Sequence, residues 1–144
     1  MIEIYGNLWD YCNNDHVICI TTNGFVKANG HGVMGRGCAL EATKKFPGIT
    51  KTLGTCIKKH GNIPSWLSYD PPIISFPTKH NWWETSNMQL IEEGLWMIKG
   101  IMTLDARPFV MPRPGCGNGK LKWEDVKPLF DHSSDKIWVI SPKK

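Results

Sequence analysis

The sequence predicts an α/β fold in which helices pack against a largely parallel sheet. Short apolar runs typical of strands alternate with helical segments along the chain, as expected of consecutive β-α-β units. Two of these apolar runs are followed at once by glycine-rich loops, and each loop leads into a helical pattern. The 144 residues contain no internal repeat, low-complexity tract or linker, so we expect one domain over residues 1–144.

Turn residues set most of the expected limits of the strands and helices. Pro47 ends the first helix, Gly61 ends the second, and Pro77 ends the third strand. The predicted strands cover residues 2–5, 17–20, 73–76, 109–111 and 137–140, and the predicted helices cover residues 37–46, 49–60, 88–102 and 123–130.

The third helix has the clearest pattern. Its apolar residues recur at spacings of three and four, namely Met88, Ile91, Leu95, Ile98 and Met102. Ser86 and Gln89 form an expected capping box at its start. Trp96, Trp123 and Trp138 fall on predicted helices or strands, and we expect all of them in the core.

Composition and charge narrow the function. No apolar run approaches the ~20 residues of a membrane span, and polar residues near the N-terminus argue against a secretory signal. The formal net charge of +4 favours an anionic ligand but gives no obvious basic track for DNA. The five cysteines show no metal-site spacing, so we expect reduced thiols in a cytoplasmic protein, with no metal and no cofactor.

The two glycine-rich loops indicate a nucleotide ligand. They cover residues 29–37, after the strand at 17–20, and residues 112–119, after the strand at 109–111. Glycine permits positive φ and a close backbone approach, while free N–H groups at a helix N-terminus attract negative charge. The pair therefore predicts a ligand with two phosphates, or one diphosphate held from both sides.

Three segments together resemble the macrodomains, a family that binds ADP-ribose. They are Asn29-x-x-Gly32-Val33-Met34-Gly35-x-Gly37-x-Ala39, Phe76-Pro77-Thr78-Lys79 and Gly115-Cys116-Gly117-Asn118-Gly119-x-Leu121-x-Trp123. The last is similar to the form seen in DNA ADP-ribosyl glycohydrolase antitoxins, and the second resembles the setting of the catalytic lysine in the terminal ADP-ribose protein glycohydrolase. The resemblance implies a three-layer α/β/α sandwich with a mixed, largely parallel central sheet.

The resemblance also implies which residues form the site. Lys79 corresponds to a lysine that acts at the anomeric carbon of the distal ribose, and Asn29 to a residue that positions that ribose. Asn23 also precedes a glycine, but the spacing from Asn29 to Met34 and Gly35 matches the motif better. The implied contacts with ADP-ribose are Asn7, Leu8, Gly32, Val33, Met34, Gly35, Gly37, Pro112, Gly115, Cys116, Gly117, Asn118 and Gly119.

Two positions depart from the family pattern. Many macrodomains have Gly-Asp after the first strand, where this chain has Gly6-Asn7, so recognition of adenine is expected to use backbone groups. The protein glycohydrolase branch has an aspartate where this chain has Gly119, which argues against a lysine–aspartate mechanism. Cys116 is interpreted as a small apolar filler rather than a nucleophile, because no base lies near it in sequence.

The resemblance implies an ADP-ribosyl glycohydrolase that acts on a modified nucleobase or protein side chain, and we expect a monomer. The alternatives are an ADP-ribose 1″-phosphate phosphatase and a module that binds ADP-ribose without turnover, which has no need of Lys79. Trp82 and Trp83 are expected either to wall the pocket, to stack on a base of modified DNA, or to cover the next helix. The Lys143-Lys144 tail is expected to be solvated.

Overall fold

Six strands form a single sheet in the computed structural model, which describes residues 1–142. The strands are β1 (Ile2–Tyr5), β2 (Val17–Asn23), β3 (Ser65–Tyr69), β4 (Pro72–Lys79), β5 (Phe109–Pro112) and β6 (Ile137–Ser141), in the order β1-β6-β5-β2-β4-β3. The edge strand β3 is antiparallel to β4, and every other neighbouring pair is parallel. The predicted mixed, largely parallel sheet is confirmed. The Lys143-Lys144 tail lies outside the described residues.

Helices connect the strands. The α-helices are α1 (Gly37–Lys45), α2 (Ile49–His60), α3 (Met88–Met102) and α4 (Trp123–Val126), and short 3-10 helices cover Leu8–Tyr11, Gly117–Gly119 and Lys127–Phe130. The segment predicted as one helix over 123–130 is helical but divided, because Pro128 has no backbone N–H to continue the α-helical ladder. Among residues 1–142, no helix has the length and apolar character needed to cross a membrane.

The helices cover both faces of the sheet, since successive strand residues point to opposite sides. In β2, Val17 and Cys19 belong to the core that contains residues of α3. Ile18 and Ile20 belong to the second core, with residues of α1 and α2. All four are fully buried, which explains why β2 begins as a continuous apolar run. The arrangement confirms the predicted three-layer α/β/α sandwich.

Helix α2 supports the first glycine loop from behind. A Cβ atom at Gly54 would collide with the carbonyl oxygen of Gly30, so α2 packs directly on the loop backbone. Gly32 N donates to Thr50 O at 2.8 Å, and a Cβ atom at Gly32 would lie 2.8 Å from the Leu53 side chain. This part of the loop is therefore used for packing on α2.

The expected capping box of Ser86 and Gln89 is wrong. The N-cap residue of α3 is Asn87, whose Oδ1 accepts a hydrogen bond from Leu90 N at 3.0 Å. Asparagine and serine are both good N-cap residues, so the local sequence allowed either start. As a result, the Ser86 hydroxyl is not used to cap the helix.

The prediction that Trp96 is a core residue is also wrong, because its side chain is 77% exposed. Leu95 faces the core, and the next residue in an α-helix points about 100° away from it. Trp123 and Trp138 are partly buried against the two cores. The strand β3 was not predicted, because its sequence carries no continuous apolar run and it lies at the sheet edge.

Candidate functional site

A cavity of about 800 Å³ opens at the edge of the sheet where the parallel strands end. Each of the five parallel strands places residues in its wall, at or just beyond the carboxyl end of the strand. In the order of the sheet they include Asn7, Ser141, Pro112, Asn23 and Lys79. Ligands of open α/β sheets bind at this edge. The cavity is therefore the candidate functional site.

The strand order makes the site long. Four strand spacings of ~4.8 Å separate β1 from β4, so the two ends of the cavity lie about 19 Å apart across the sheet. Asn7 and Leu8 lie at the β1 end, and Lys79 lies at the β4 end. The two glycine-rich loops follow β5 and β2, between these ends. An elongated ligand with charged groups near its middle fits this arrangement.

The first glycine-rich loop contributes an open helix N-terminus. Val33, Met34 and Gly35 line the cavity and lead into α1. Gly37 has a φ of 58°, in the left-handed region that favours glycine. Within the part of the chain described, no side chain caps α1, so its first N–H groups and its dipole are available to an anion.

The second glycine-rich loop faces the first. Gly115 and Gly117 have φ values of 78° and 69°, and Leu121 N donates to Gly115 O at 2.9 Å. A Cβ atom at Gly37 would lie 3.6 Å from Asn118 Nδ2. The two loops therefore approach each other across the cavity, as a site for a diphosphate requires.

The β1 end of the cavity has a different character. Asn7 Oδ1 accepts a hydrogen bond from Trp9 N at 2.9 Å and caps the short helix Leu8–Tyr11. The side chains of Leu8 and Ile140 are buried and give this end an apolar wall. Since the Asn7 oxygen is committed to the backbone, the end suits a flat ring held by packing and backbone groups.

Lys79 lies at the β4 end. Its Nζ donates to the backbone oxygens of Trp82 and Asn118, at 3.4 and 3.5 Å. Burial lowers the pKa of Lys79 below its ordinary value, and the positive charges of Arg36 and Lys120 lower it further. A lowered pKa increases the neutral fraction of the amine, which is the form that can act as a nucleophile.

The backbone around Lys79 is fixed by neighbouring segments. Gly24 N and Asn62 Nδ2 both donate to the carbonyl oxygen of Lys79, at 3.0 and 2.9 Å. The register between β2 and β4 shifts between Thr22 and Asn23, so that Asn23 pairs with Lys79. The lysine side chain therefore enters the cavity from a firmly held strand end.

Two buried hydroxyl groups in the cavity wall, Thr22 Oγ1 and Ser86 Oγ, have no hydrogen-bond partner among the described residues. A buried polar group left unpaired costs about 1–3 kcal/mol, so a ligand or water that pairs with it is favoured. Ser86 also explains the glycine at position 119. A Cβ atom at Gly119 would collide with Ser86 Oγ, so this position has no room for an aspartate.

Most of the predicted site residues come together in this cavity. Those that line it are Lys79, Asn7, Leu8, Val33, Met34, Gly35, Gly37, Pro112, Gly115, Cys116, Gly117, Asn118 and Gly119. The structure places Asn29 and Gly32 outside the lining. Asn29 is exposed, and its Oδ1 accepts a hydrogen bond from His31 N at 3.0 Å, which makes it a turn residue.

Asn23, the alternative to Asn29, does line the cavity. Its Nδ2 donates to Val33 O at 2.9 Å, and its Oδ1 accepts from Phe25 N at 3.0 Å. The carboxamide therefore ties the end of β2 to the first glycine-rich loop. The motif spacing favoured Asn29, but the longer course of β2 carries Asn23 to the site instead.

Sequence reasoning missed Thr22 and Ser86. Thr22 could have been found by extending β2 past residue 20, since residues at the ends of parallel strands line ligand sites. Ser86 offered no local signal, because its burial depends on contact with Gly119 in a distant loop.

Two cysteines also line the cavity. Burial raises the pKa of the Cys38 thiol and of the Cys116 thiol, which keeps both protonated and weakly nucleophilic. This environment supports the interpretation of Cys116 as a filler. Over residues 1–142, His, Cys, Asp and Glu side chains form no group of three or more that could hold a metal ion.

Curated relatives match a large part of the sequence, although no protein-family model does. A DNA ADP-ribosyl glycohydrolase of Thermus aquaticus is 32% identical over 128 residues, which cover 79% of this chain and 36% of that protein. The chain thus spans about a third of the length of the curated relatives it matches.

Solved structures match the whole fold. The macrodomain of Mycobacterium tuberculosis DarG has a TM-score of 0.75 at 26% identity, with 99% of each chain covered. Thermosipho africanus DarTG in complex with ADP-ribose has a TM-score of 0.76 at 23% identity, with 99% of this chain and 43% of that chain covered. These similarities confirm the macrodomain fold implied by the sequence motifs.

We predict that Lys120→Gln raises the pKa of Lys79. The substitution keeps a long polar side chain but removes one of the positive charges that disfavour the lysine ammonium. The pKa of Lys79 is measured by NMR titration of its side-chain carbon and nitrogen signals. Lys122→Gln is the control, since Lys122 is an exposed lysine of the same segment outside the cavity lining. Equal titration of Lys79 in both variants would contradict this electrostatic account.

Proposed function

We propose that this chain, which belongs to the macrodomain family, binds ADP-ribose and removes it from a modified DNA base by hydrolysis at the distal ribose. The observation that carries the proposal is the Lys79 amine, which lies at one end of a long cavity and has a lowered pKa. A binding module needs the cavity and its glycine loops. It does not need an amine with a lowered pKa.

The chemistry of ADP-ribose agrees with the cavity from end to end. Its diphosphate suits the open N-terminus of α1 and the facing glycine-rich loop. Its adenine ring suits the apolar β1 end, next to Leu8, and its distal ribose then reaches Lys79. The similar fold of Thermosipho africanus DarTG was solved in complex with ADP-ribose, which supports the same ligand here.

Lys79 supplies the reactive group in this proposal. The neutral amine attacks the anomeric carbon of the distal ribose as the bond to the base breaks, and water then releases the sugar from the adduct. The transition state resembles an oxocarbenium ion, so it gains from a ribose that is firmly positioned. Turnover is expected to rise with pH through the lowered pKa of Lys79, because the ammonium form has no lone pair.

The two unpaired hydroxyl groups help to position the ribose in this proposal. Thr22 Oγ1 and Ser86 Oγ are buried in the wall of the cavity that Lys79 also lines, and a polyhydroxylated ligand supplies partners for both. Ser86 fills the space beside Gly119, where a carboxylate would otherwise stand. The reaction proposed here therefore relies on one lysine without an aspartate partner.

The names of the curated relatives guide the choice of substrate. They are DNA ADP-ribosyl glycohydrolases, and the matched region includes the lysine segment and both glycine-rich loops. We therefore place DNA before protein as the carrier of ADP-ribose. The ADP-ribose 1″-phosphate phosphatase and the non-catalytic binding module are the outcomes that the assays must separate from it.

We further propose a monomer that works in the cytoplasm. Five free cysteines support a reducing compartment, because such thiols are rarely left unpaired in oxidising ones. The cavity draws all of its wall from one chain. Sedimentation of the purified protein measures the oligomeric state directly.

We predict that Lys79→Ala lowers turnover of ADP-ribosylated single-stranded DNA by at least about 100-fold, because the reacting amine is lost. The affinity for ADP-ribose stays within a few-fold, since most of the cavity remains. The assay follows release of ADP-ribose, and calorimetry measures its binding. Lys51→Ala, at an exposed position of α2, is the control and keeps full turnover.

The outcome of this assay separates the three functions. Full turnover in Lys79→Ala would remove the lysine from the mechanism. Binding of ADP-ribose without turnover in the wild-type chain, on DNA and on protein, would identify a binding module. Release of phosphate from ADP-ribose 1″-phosphate alone would identify a phosphatase.

We predict that Asn23→Ala weakens ADP-ribose binding by about tenfold, because the loss of a hydrogen bond that holds the first glycine-rich loop costs about 1–3 kcal/mol. Asn29→Ala leaves the affinity unchanged, because Asn29 lies in an exposed turn outside the cavity. Calorimetric titration of both variants measures the difference. The reverse pattern would restore Asn29 to the site and contradict the alignment adopted here.

A further inference from the structure

Two tryptophans lie exposed at the mouth of the cavity. Trp82 and Trp83 belong to the segment at residues 80–87, between β4 and α3, and their exposed fractions are 44% and 59%. Trp82 lines the cavity, and Trp83 lies next to it outside the lining. Large aromatic side chains are mostly buried in proteins, so a pair left in solvent beside a ligand site indicates a binding surface.

The segment holds both rings in place without covering them. The Trp83 ring packs edge-on against Phe25 with ring centroids 5.5 Å apart, and the two indole rings are perpendicular at 5.4 Å. Asn81 N donates to Glu84 Oε1 at 2.7 Å, and Glu84 N donates to Asn81 O at 3.1 Å. An aromatic surface that is already ordered loses little entropy when a flat partner stacks on it.

The tryptophans stand where the leaving group must go. The backbone oxygen of Trp82 accepts a hydrogen bond from Lys79 Nζ at 3.4 Å. A group bonded to the sugar carbon that meets Lys79 therefore projects past Trp82 toward solvent. It meets Trp83 next.

The charge around this mouth is positive. Arg36 lines the cavity, and Lys120 follows the second glycine-rich loop, with both side chains exposed. Glu41 is the one acidic residue among the described residues of the lining, and the nearby Glu84 is occupied by Asn81 N. Two basic side chains next to two aromatic rings suit a strand that carries both phosphates and bases.

We infer that Trp82 and Trp83 form a stacking platform for the bases of a single-stranded DNA segment that carries the ADP-ribose. The inference rests on the proposed function and adds a base-binding subsite to it. Unpaired bases offer their faces to aromatic side chains, whereas bases in a duplex are already stacked. The platform therefore favours single strands over duplexes and tolerates different bases beside the modified one.

The test compares Trp83→Ala with Trp96→Ala. Trp96 is a matched control, because it is an exposed tryptophan on α3 that lies outside the cavity lining. The substrates are a single-stranded oligonucleotide with one ADP-ribosylated base and, for binding alone, free ADP-ribose. Trp83→Ala is expected to lower kcat/KM for the oligonucleotide by about 5- to 150-fold, the loss of one base–aromatic stack. Its affinity for free ADP-ribose stays at the wild-type value, and Trp96→Ala changes neither quantity.

Several results would overturn the platform. They are an unchanged kcat/KM in Trp83→Ala, an equal loss of affinity for free ADP-ribose, and an equal loss of turnover on an ADP-ribosylated peptide. Binding of the same oligonucleotide to Lys79→Ala, with and without Trp83→Ala, is measured in parallel and needs no turnover. If the wild-type chain does not cleave the oligonucleotide but Trp83→Ala weakens this binding, the platform stands and the proposed hydrolysis fails.

Discussion

The site depends on one constraint, which is that five parallel strands end at the same edge of the sheet. Helices on both faces bury the strands, so the free ends of the strands are the part of the sheet that can reach a ligand. The order of the strands then puts the apolar β1 end and Lys79 on opposite sides of the glycine-rich loops. Length, polarity and reactive group all follow from this topology.

Charge at the β4 end has two effects that belong together. Arg36 and Lys120 favour binding of an anionic ligand, and the same charges lower the pKa of Lys79. A bound diphosphate stabilises positive charge, which opposes that lowering. Burial of the lysine, the first cause of its lowered pKa, remains when the ligand is bound. The site can thus hold an anion and still keep part of the amine neutral.

Local sequence patterns were sufficient for most of the fold, because apolar periodicity and turn residues act within a few positions. They placed α2 at Ile49–His60 and put Lys79 and both glycine-rich loops at one site. They failed where a distant contact decides. Asn23 reaches the cavity because β2 continues alongside β4, Ser86 is buried by the loop around Gly119, and Trp96 turns away from a core filled by its neighbours. None of these contacts is written in the residues next to them.

The central claim is that the cavity binds one ADP-ribose along its whole length. Calorimetric titration of the purified protein with ADP-ribose, beside AMP, tests it most directly. The account predicts one site at which ADP-ribose binds at least about tenfold more tightly than AMP, because AMP lacks the second phosphate and the distal ribose. Equal affinities, or no heat of binding with ADP-ribose, would contradict it.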